Sequence, residues 1–322
     1  FYYGTKEKTN RLKDECDHVL QTGDRGTIKP KANFDAGEDV AALKDAIEGL
    51  GTKEKVLIDI LTHRSSAQRQ VICEAYQEAT GRTLREDLKG DTDGDFEDLL
   101  VALITPPAKY DCHEVMRAME GVVTEESTLI EIFASRSTEQ IKAFCDVYFA
   151  IQRLFSFSLQ ATRDDSTTVD TEKAKEDAKT LYSAGEEKWG TDESKFIDIL
   201  CQRSIPQLRQ TLVEYKNISG KTLQQSIEGE MSGDLEELLV AIVKCVKSVP
   251  AYFAERLYEC MKGAGTDECT LNRIMVSRSE IDLLDIRTEF KKLYEYSLLS
   301  AIESDLGGDH GDCVKAICGG DD

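Results

Sequence analysis

Three glycine-rich turns and three distant carboxylates are the residues of this chain that could do chemistry. The turns are Gly49-Leu50-Gly51, Lys188-Trp189-Gly190 and Gly263-Ala264-Gly265. Glycine tolerates a tight turn and leaves room beside the backbone, so such a turn can turn carbonyl oxygens toward an ion. Asp91 lies 40 residues beyond Gly51, Glu230 lies 40 beyond Gly190, and Asp305 lies 40 beyond Gly265. Calcium takes about six to eight hard oxygens. A turn supplies about three, a distal carboxylate adds to them, and waters fill what remains. A site of that kind is shallow: it predicts weak affinity alone and tighter binding when a lipid phosphate replaces a water. A single Gly-Thr-Asp/Glu phrase could be no more than a helix start. Three copies with one shared offset favour the ion.

Other chemistries find little support in the residues. Asp91, Asp93 and Asp95 begin like an EF-hand loop, but its sixth position is Phe96 rather than Gly and its twelfth is Ala102 rather than Glu. No CxxC occurs and His residues number four, which argues against zinc. No His–Cys or His–Ser arrangement and no phosphate-cradling GxxxxGK loop suggests an enzyme. Cys73, Cys145, Cys201, Cys245 and Cys260 sit among apolar neighbours in helical patterns and read as buried free thiols.

The turns belong to longer repeated phrases. IEGLGTKEKVLID at Ile47–Asp59, MEGVVTEESTLIE at Met119–Glu131 and MKGAGTDECTLNR at Met261–Arg273 share one pattern, and EKWGTDESKFIDI at Glu187–Ile199 is a variant. Each leads to a second phrase whose arginine serves as a ruler: Arg64, Arg136, Arg203 and Arg278, separated by 72, 67 and 75 residues. Four copies of one supersecondary unit of about 70 residues follow. In the first copy, Val40, Leu43, Ala46, Ile47 and Leu50 form one helical stripe, and Thr52 with Glu54 starts a second helix. Ser66–Thr80 is a third, stopped by Gly81. Thr83 and Glu86 make a capping box for a short fourth, and Phe96–Ile104 is a fifth. Short loops and apolar stripes without strand alternation mean an all-α array of five-helix repeats. In an antiparallel bundle, the first-second and fourth-fifth turns emerge at the same end, which would bring each carboxylate to its turn.

The expected divisions are a tail at 1–33 and repeats at 34–105, 106–167, 168–249 and 250–322. Thr22–Asn33 reads as an extended connector. The second repeat is short: CDVYFA runs directly into IQRLFSFSLQ at Ile151–Gln160, which resembles a fifth helix. About 17 residues are read as missing from the sequence after Ala150, because a true deletion would strip a layer from the repeat and expose its core. The acidic segment Arg163–Glu176 reads as a solvated linker between two halves.

Formal charge is -21. Such a surface repels nucleic acid, and it also repels anionic lipid unless a cation bridges the two. No run is long enough for a membrane span, which argues against stable insertion and an ion-conducting role. The first residues lack the apolar core of a signal peptide.

With these phrases on the page, the chain resembles an annexin. GLGTKE, GVVTEE, KWGTDE and GAGTDE, the paired RS phrases, KGDTDGDFE at Lys89–Glu97, SVPAYFAERLYECMKGAGTDE at Ser248–Glu268 and the ending CGGDD carry the resemblance over about Gly26 to Asp322. It implies a four-repeat member of invertebrate type, with four five-helix repeats in a curved disc and calcium-dependent binding to anionic phospholipids such as phosphatidylserine. The implied calcium ligands in repeat I are the carbonyls of Ile47, Gly49 and Gly51 with the Asp91 carboxylate. In repeat III they are the carbonyls of Gly185, Lys188 and Gly190 with Glu230. In repeat IV they are the carbonyls of Met261, Gly263 and Gly265 with Asp305. A weaker secondary site would use Thr52 and Glu54, with Lys53 at a position often acidic in the family. Repeat II departs from the pattern through Val123. The resemblance places the protein in the cytoplasm and peripherally on membranes, with an outer-surface location also open. The N-terminal tail, with Cys16, is a candidate for recruiting a protein partner or for homodimerisation. Trp189 could reach the headgroup layer or cap its own loop. The four ruler arginines read as structural, paired with carboxylates and helix carbonyls.

Overall fold

The computed structural model describes residues 24–48, 51–120, 124–151, 163–186, 191–263 and 265–320. Eighteen helices and no strand lie among them. Repeat I holds α1 (Ala36–Ile47), α2 (Glu54–Thr62), α3 (Ser66–Thr80), α4 (Leu84–Asp91) and α5 (Gly94–Ile104). Repeat II contributes α6 (Pro107–Met119), α7 (Glu126–Ser135) and α8 (Thr138–Ile151). Repeat III holds α9 (Thr171–Ala184), α10 (Glu193–Gln202), α11 (Ile205–Ser219), α12 (Leu223–Glu230) and α13 (Asp234–Lys247). Repeat IV holds α14 (Val249–Met261), α15 (Glu268–Arg278), α16 (Leu283–Tyr294), α17 (Leu298–Asp305) and α18 (Gly308–Cys318).

Local chemistry explains the boundaries. The Asp35 carboxylate accepts from the Gly37 and Glu38 N–H groups and starts α1. Ser65 with Gln68, Thr83 with Glu86 and Thr222 with Gln225 form reciprocal caps at α3, α4 and α12. Gly81 ends α3 at φ +75°, a left-handed conformation that favours glycine. One start differs from the sequence reading. Helix α2 begins at Glu54, with Lys53 before it and no side-chain cap, because the Thr52 hydroxyl is engaged elsewhere.

The chain divides into two compact units, one of residues 1–110 with 253–322 and the other of residues 111–252. Repeat IV therefore packs with repeat I, and repeat III with repeat II. The segment Arg163–Glu176 lies wholly inside the second unit, so it does not join two halves. Its Asp164 N–H and Arg163 guanidinium donate to the carbonyls of Gln202 and Arg203 at 2.9 and 2.8 Å, and from Thr171 it is already α9.

Within the first unit the repeats exchange helices: α2 packs on α18, and α15 packs on α5. The second unit shows one half of the same exchange, α7 against α13. The partner for α10 would be the fifth helix of repeat II, expected at Ile151–Gln160. Ile151 is the last residue of α8, and the rest of that stretch lies outside the described residues. Among those residues the repeat II core is small: Cys112, Val115, Ile132, Phe144 and Cys145, with half-buried Leu129, Phe133 and Tyr148 around them. Repeat III is packed more fully, around Leu181, Phe196, Leu200, Tyr215 and Val243.

The connector after residue 23 lies along the body of the first unit. Ile28 is buried and donates its N–H to the Ser279 carbonyl at 3.0 Å. The Leu284 N–H donates to the Arg25 carbonyl at 3.0 Å, and Gln68 exchanges two hydrogen bonds with the Lys31 backbone. At Gly26 a Cβ would stand 2.4 Å from the Glu280 backbone, so only glycine permits this approach. Glu280 itself reaches into repeat I, accepting from the Ser66 N–H at 2.6 Å and from buried Arg69 at 3.0 Å. Burial pushes its carboxyl up, against the pull of Arg69.

The ruler arginines are structural. Arg64 grips Asp39 with two bonds of 2.7 and 2.6 Å, Arg136 grips Asp111 with two of 2.8 Å, and Arg203 grips Asp177 with 2.8 and 2.9 Å. Each pair ties the end of a repeat's second helix to its first helix. Repeat IV has Phe253 where the aspartate would stand. Arg278 lies over that ring, 4.9 Å from its centroid, and takes Asp282 instead at 2.8 and 2.6 Å. The nine described cysteines are free thiols. Cys145, Cys245 and Cys260 are buried as expected, whereas Cys73 and Cys201 are half-buried. The Cys73 thiol is pushed up to about 11, mainly by desolvation.

The buried pair and an exposed one should respond differently to truncation. Arg64→Met leaves Asp39 charged and buried and should cost about 3–5 kcal/mol, whereas Lys53→Met should cost at most about 1 kcal/mol. Thermal denaturation of the two variants beside the parent checks this; equal melting points would refute it.

Candidate calcium sites

Each of the three distal carboxylates is the last residue of a short helix. Asp91 ends α4, Glu230 ends α12 and Asp305 ends α17. All three are exposed, and none forms an ion pair among the described residues. A carboxylate at a helix C-terminus faces the negative end of the macrodipole and open carbonyls, so the position is unfavourable without a cation.

The first turn comes to the same place. The Thr52 hydroxyl donates to the Asp91 carbonyl at 3.1 Å, and the Thr191 hydroxyl to the Glu230 carbonyl at 3.3 Å. The Thr266 hydroxyl donates to the Asp305 carboxylate. The threonine follows the last glycine of the turn in every case, so the offset of 40 in sequence becomes adjacency in space.

A backbone bond closes each turn. The Lys53 N–H reaches the Ala46 carbonyl at 3.0 Å, Glu125 reaches Ala118 at 2.9 Å, Asp192 reaches Ala184 at 2.8 Å, and Asp267 reaches Cys260 at 2.8 Å. The four donors share one conformation, φ near -86 to -97° and ψ 76 to 85°. Gly51 at φ +85°, Gly263 at +118° and Gly265 at +117° adopt backbone that other residues rarely reach. The carbonyls of Ile47, Gly51, Gly185, Met261, Gly263 and Gly265 accept no hydrogen bond among the described residues. Unpaired carbonyls beside a carboxylate on a helix end suit a hard cation. Gly49, Lys188, Gly190 and Trp189 lie outside the described residues, as do residues 121–123 of the repeat II turn. No group of three His, Cys, Asp or Glu side chains converges among the described residues.

Two features of these turns were not read from the sequence. Lys53 pairs with Asp45 at 2.7 Å across the closing bond of repeat I, and Arg117 pairs with Glu125 at 3.1 Å across that of repeat II. The two pairs occupy the same positions with the charges exchanged. Lys53, unusual in type, is therefore matched by an acid eight residues earlier; opposite charges at both edges of a closed turn were the available signal. In repeat III the Glu186 carboxylate takes bonds from Lys221 and Ser226, which hold it below the usual carboxylate range.

Residues 38–103, 110–173, 176–242 and 252–317 each match the Annexin family model. The chain belongs to the annexin family. It is similar to human annexin A3, with 52% identity over 320 residues, covering 94% of this chain and 99% of that protein. The solved structure of annexin III superposes with a TM-score of 0.90 at 51% identity, covering 93% of this chain and 98% of that one. A calcium-bound structure of annexin (Sm)1 superposes with a TM-score of 0.81 at 32% identity, covering 92% and 93%. As an annexin the protein is a calcium-dependent, peripheral binder of anionic phospholipid and not an enzyme. No described helix is long and apolar enough to cross a membrane.

The threonine tie is testable in this annexin. Thr52→Val removes the bond that holds the turn to α4 and should weaken calcium binding at repeat I about two- to tenfold, the worth of one ordinary hydrogen bond. Calorimetric titration in a Glu230→Ala, Asp305→Ala background isolates that site; an unchanged dissociation constant would show the tie to be incidental.

Proposed function

We propose that repeats I, III and IV each hold a calcium ion between the first turn and the end of the fourth helix, and that the ion bridges this acidic surface to a lipid phosphate. The ligands are the carbonyls of Ile47, Gly49 and Gly51 with Asp91. In repeat III they are those of Gly185, Lys188 and Gly190 with Glu230, and in repeat IV those of Met261, Gly263 and Gly265 with Asp305. The observation that carries this is the unpaired set of described turn carbonyls beside exposed carboxylates at helix ends. Calcium supplies the positive charge that lets a chain of charge -21 meet an anionic membrane. A secondary site at Thr52 and Glu54 is weaker, since Lys53 stands at a position where an acid would supply a further ligand. The expectation of an invertebrate source rests on the resemblance alone.

Cosedimentation with phosphatidylserine and phosphatidylcholine vesicles across a calcium titration tests the ligands. The parent should bind only the anionic vesicles and only with calcium. The combined Asp91→Ala, Glu230→Ala and Asp305→Ala variant should need roughly tenfold more calcium or fail to bind. Binding unchanged in that variant would refute the assignment. A second reading gives the N-terminal tail a role in recruiting a protein partner or in homodimerisation. Deleting residues 1–23 should then leave vesicle binding intact and remove that association.

For the domains we propose boundaries at 34–105, 106–167, 168–249 and 250–322, with about 17 residues of repeat II belonging after Ala150. The short interval from Arg136 to Arg203, 67 residues against 72 and 75 for the other two, supports this. The second family match also runs through residue 173, inside α9, which packs as the first helix of repeat III. Intact mass and peptide mapping of the protein from its natural source should find the extra segment; a peptide joining Ala150 directly to Ile151 would exclude it.

A further inference from the structure

Repeats I and III differ in how the base of the calcium turn is held. Glu48 and Glu186 occupy the same position, two residues past the alanine whose carbonyl closes the turn. In repeat III, Lys221 donates to both oxygens of Glu186 at 2.9 Å, and the Ser226 hydroxyl donates to one of them at 2.8 Å. Lys221 precedes the cap of α12 and Ser226 lies in its first turns, so the turn is clamped to that helix. In repeat I the matching positions carry Arg82 and Asp87. Asp87 takes Arg82 for itself and accepts from the buried Tyr76 hydroxyl at 2.8 Å. Among the described residues Glu48 is left exposed, its one ion pair there being with Lys44 on its own helix at 3.8 Å. The exchange of Asp87 for Ser226 is what frees the cation of repeat III to reach the turn.

We propose that Glu186 is a positioning residue for calcium in repeat III, clamped by Lys221 and Ser226 so that the adjoining Gly185 carbonyl is set before the ion arrives. The proposal rests on the calcium reading above. Holding a ligand-bearing segment in place beforehand lowers the ordering cost of binding, and partners beyond the ligands themselves tune metal affinity. Repeat I lacks this clamp, so more of the ordering cost there falls on the binding step. Repeat III therefore fills at lower calcium than repeat I.

Trp189 makes the test site-specific. It is the sole tryptophan and stands between two of the proposed ligand residues, Lys188 and Gly190. Terbium takes the same oxygen ligands as calcium, and its emission under selective tryptophan excitation reports the repeat III turn. The full chain is titrated with terbium and the signal is then displaced with calcium. Glu186→Gln and Lys221→Gln should each raise the calcium midpoint about threefold to tenfold, and the double variant no further. Ser226→Asp should act in the same direction by drawing Lys221 away. Arg82→Gln in repeat I should leave the midpoint unmoved. Melting temperatures are read in parallel, so that a shift in ion affinity without a matching loss of stability marks positioning rather than folding. An unchanged or lowered midpoint in Glu186→Gln, with calcium-displaceable emission from the parent, would overturn the clamp and leave the calcium reading standing. No calcium-displaceable emission from the parent would overturn both.

Discussion

The organising constraint is electrostatic: in repeats I, III and IV two helix C-termini meet. The end of the first helix leaves carbonyls without partners, and the end of the fourth carries a carboxylate. Both ends are negative poles of helix dipoles. No ion pair reaches the three carboxylates among the described residues, so the junction is a place where a cation lowers the energy of the fold itself. Packing brings the ends together, and one threonine hydroxyl per repeat fastens them. The proposed site is thus a consequence of how five helices pack, with few dedicated side chains. Its sequence cost is a glycine turn, a threonine and one acid.

That packing depends in turn on a second repeated device. Arg64, Arg136 and Arg203 each fasten the second helix to the first through a buried, doubly bonded aspartate. A buried pair of this kind contributes little net stability against an apolar alternative, but it penalises any arrangement that parts the two charges. It fixes the angle from which the first turn approaches the fourth helix. Repeat IV shows that the requirement is for a compensated guanidinium rather than for one particular aspartate. Phe253 supplies a ring face, and Asp282 supplies the charge from the following turn.

Much of this was legible in the sequence. Helical periods, the Thr83–Glu86 capping box, Gly81 as a stop and the repeating arginines gave the elements, and the constant offset of 40 residues paired the turns with their carboxylates. Pairings across distance were less legible. Nothing in the order of repeats I to IV says that IV packs on I, because that choice is made by apolar surfaces on α2, α5, α15 and α18 that look alike in every repeat. Thr52 reads as a helix start because local propensity favours it there, yet its hydroxyl serves a partner 39 residues away. Asp39, Asp111 and Asp177 look like ordinary acids on helices until the arginines are placed beside them. The charge-exchanged pairs Lys53–Asp45 and Arg117–Glu125 are visible only once the closing backbone bonds define which residues flank a turn.

The divergence among the repeats has a physical logic. All four keep the closing bond and the conformation of its donor, because any loss there would open the turn. What varies is the ring of charge around it: Lys53 with Asp45, Arg117 with Glu125, and Lys221 with Glu186. Each pair is local and neutral, so it steadies a turn without adding net charge at the junction. A turn fastened this way still presents free carbonyls, and the negative field of the helix ends is left for the ion. An added lone lysine would have steadied the turn just as well while occupying the place of the cation. In repeats I, II and III the charge that steadies the turn comes with its own opposite, so the negative field of the helix ends is kept.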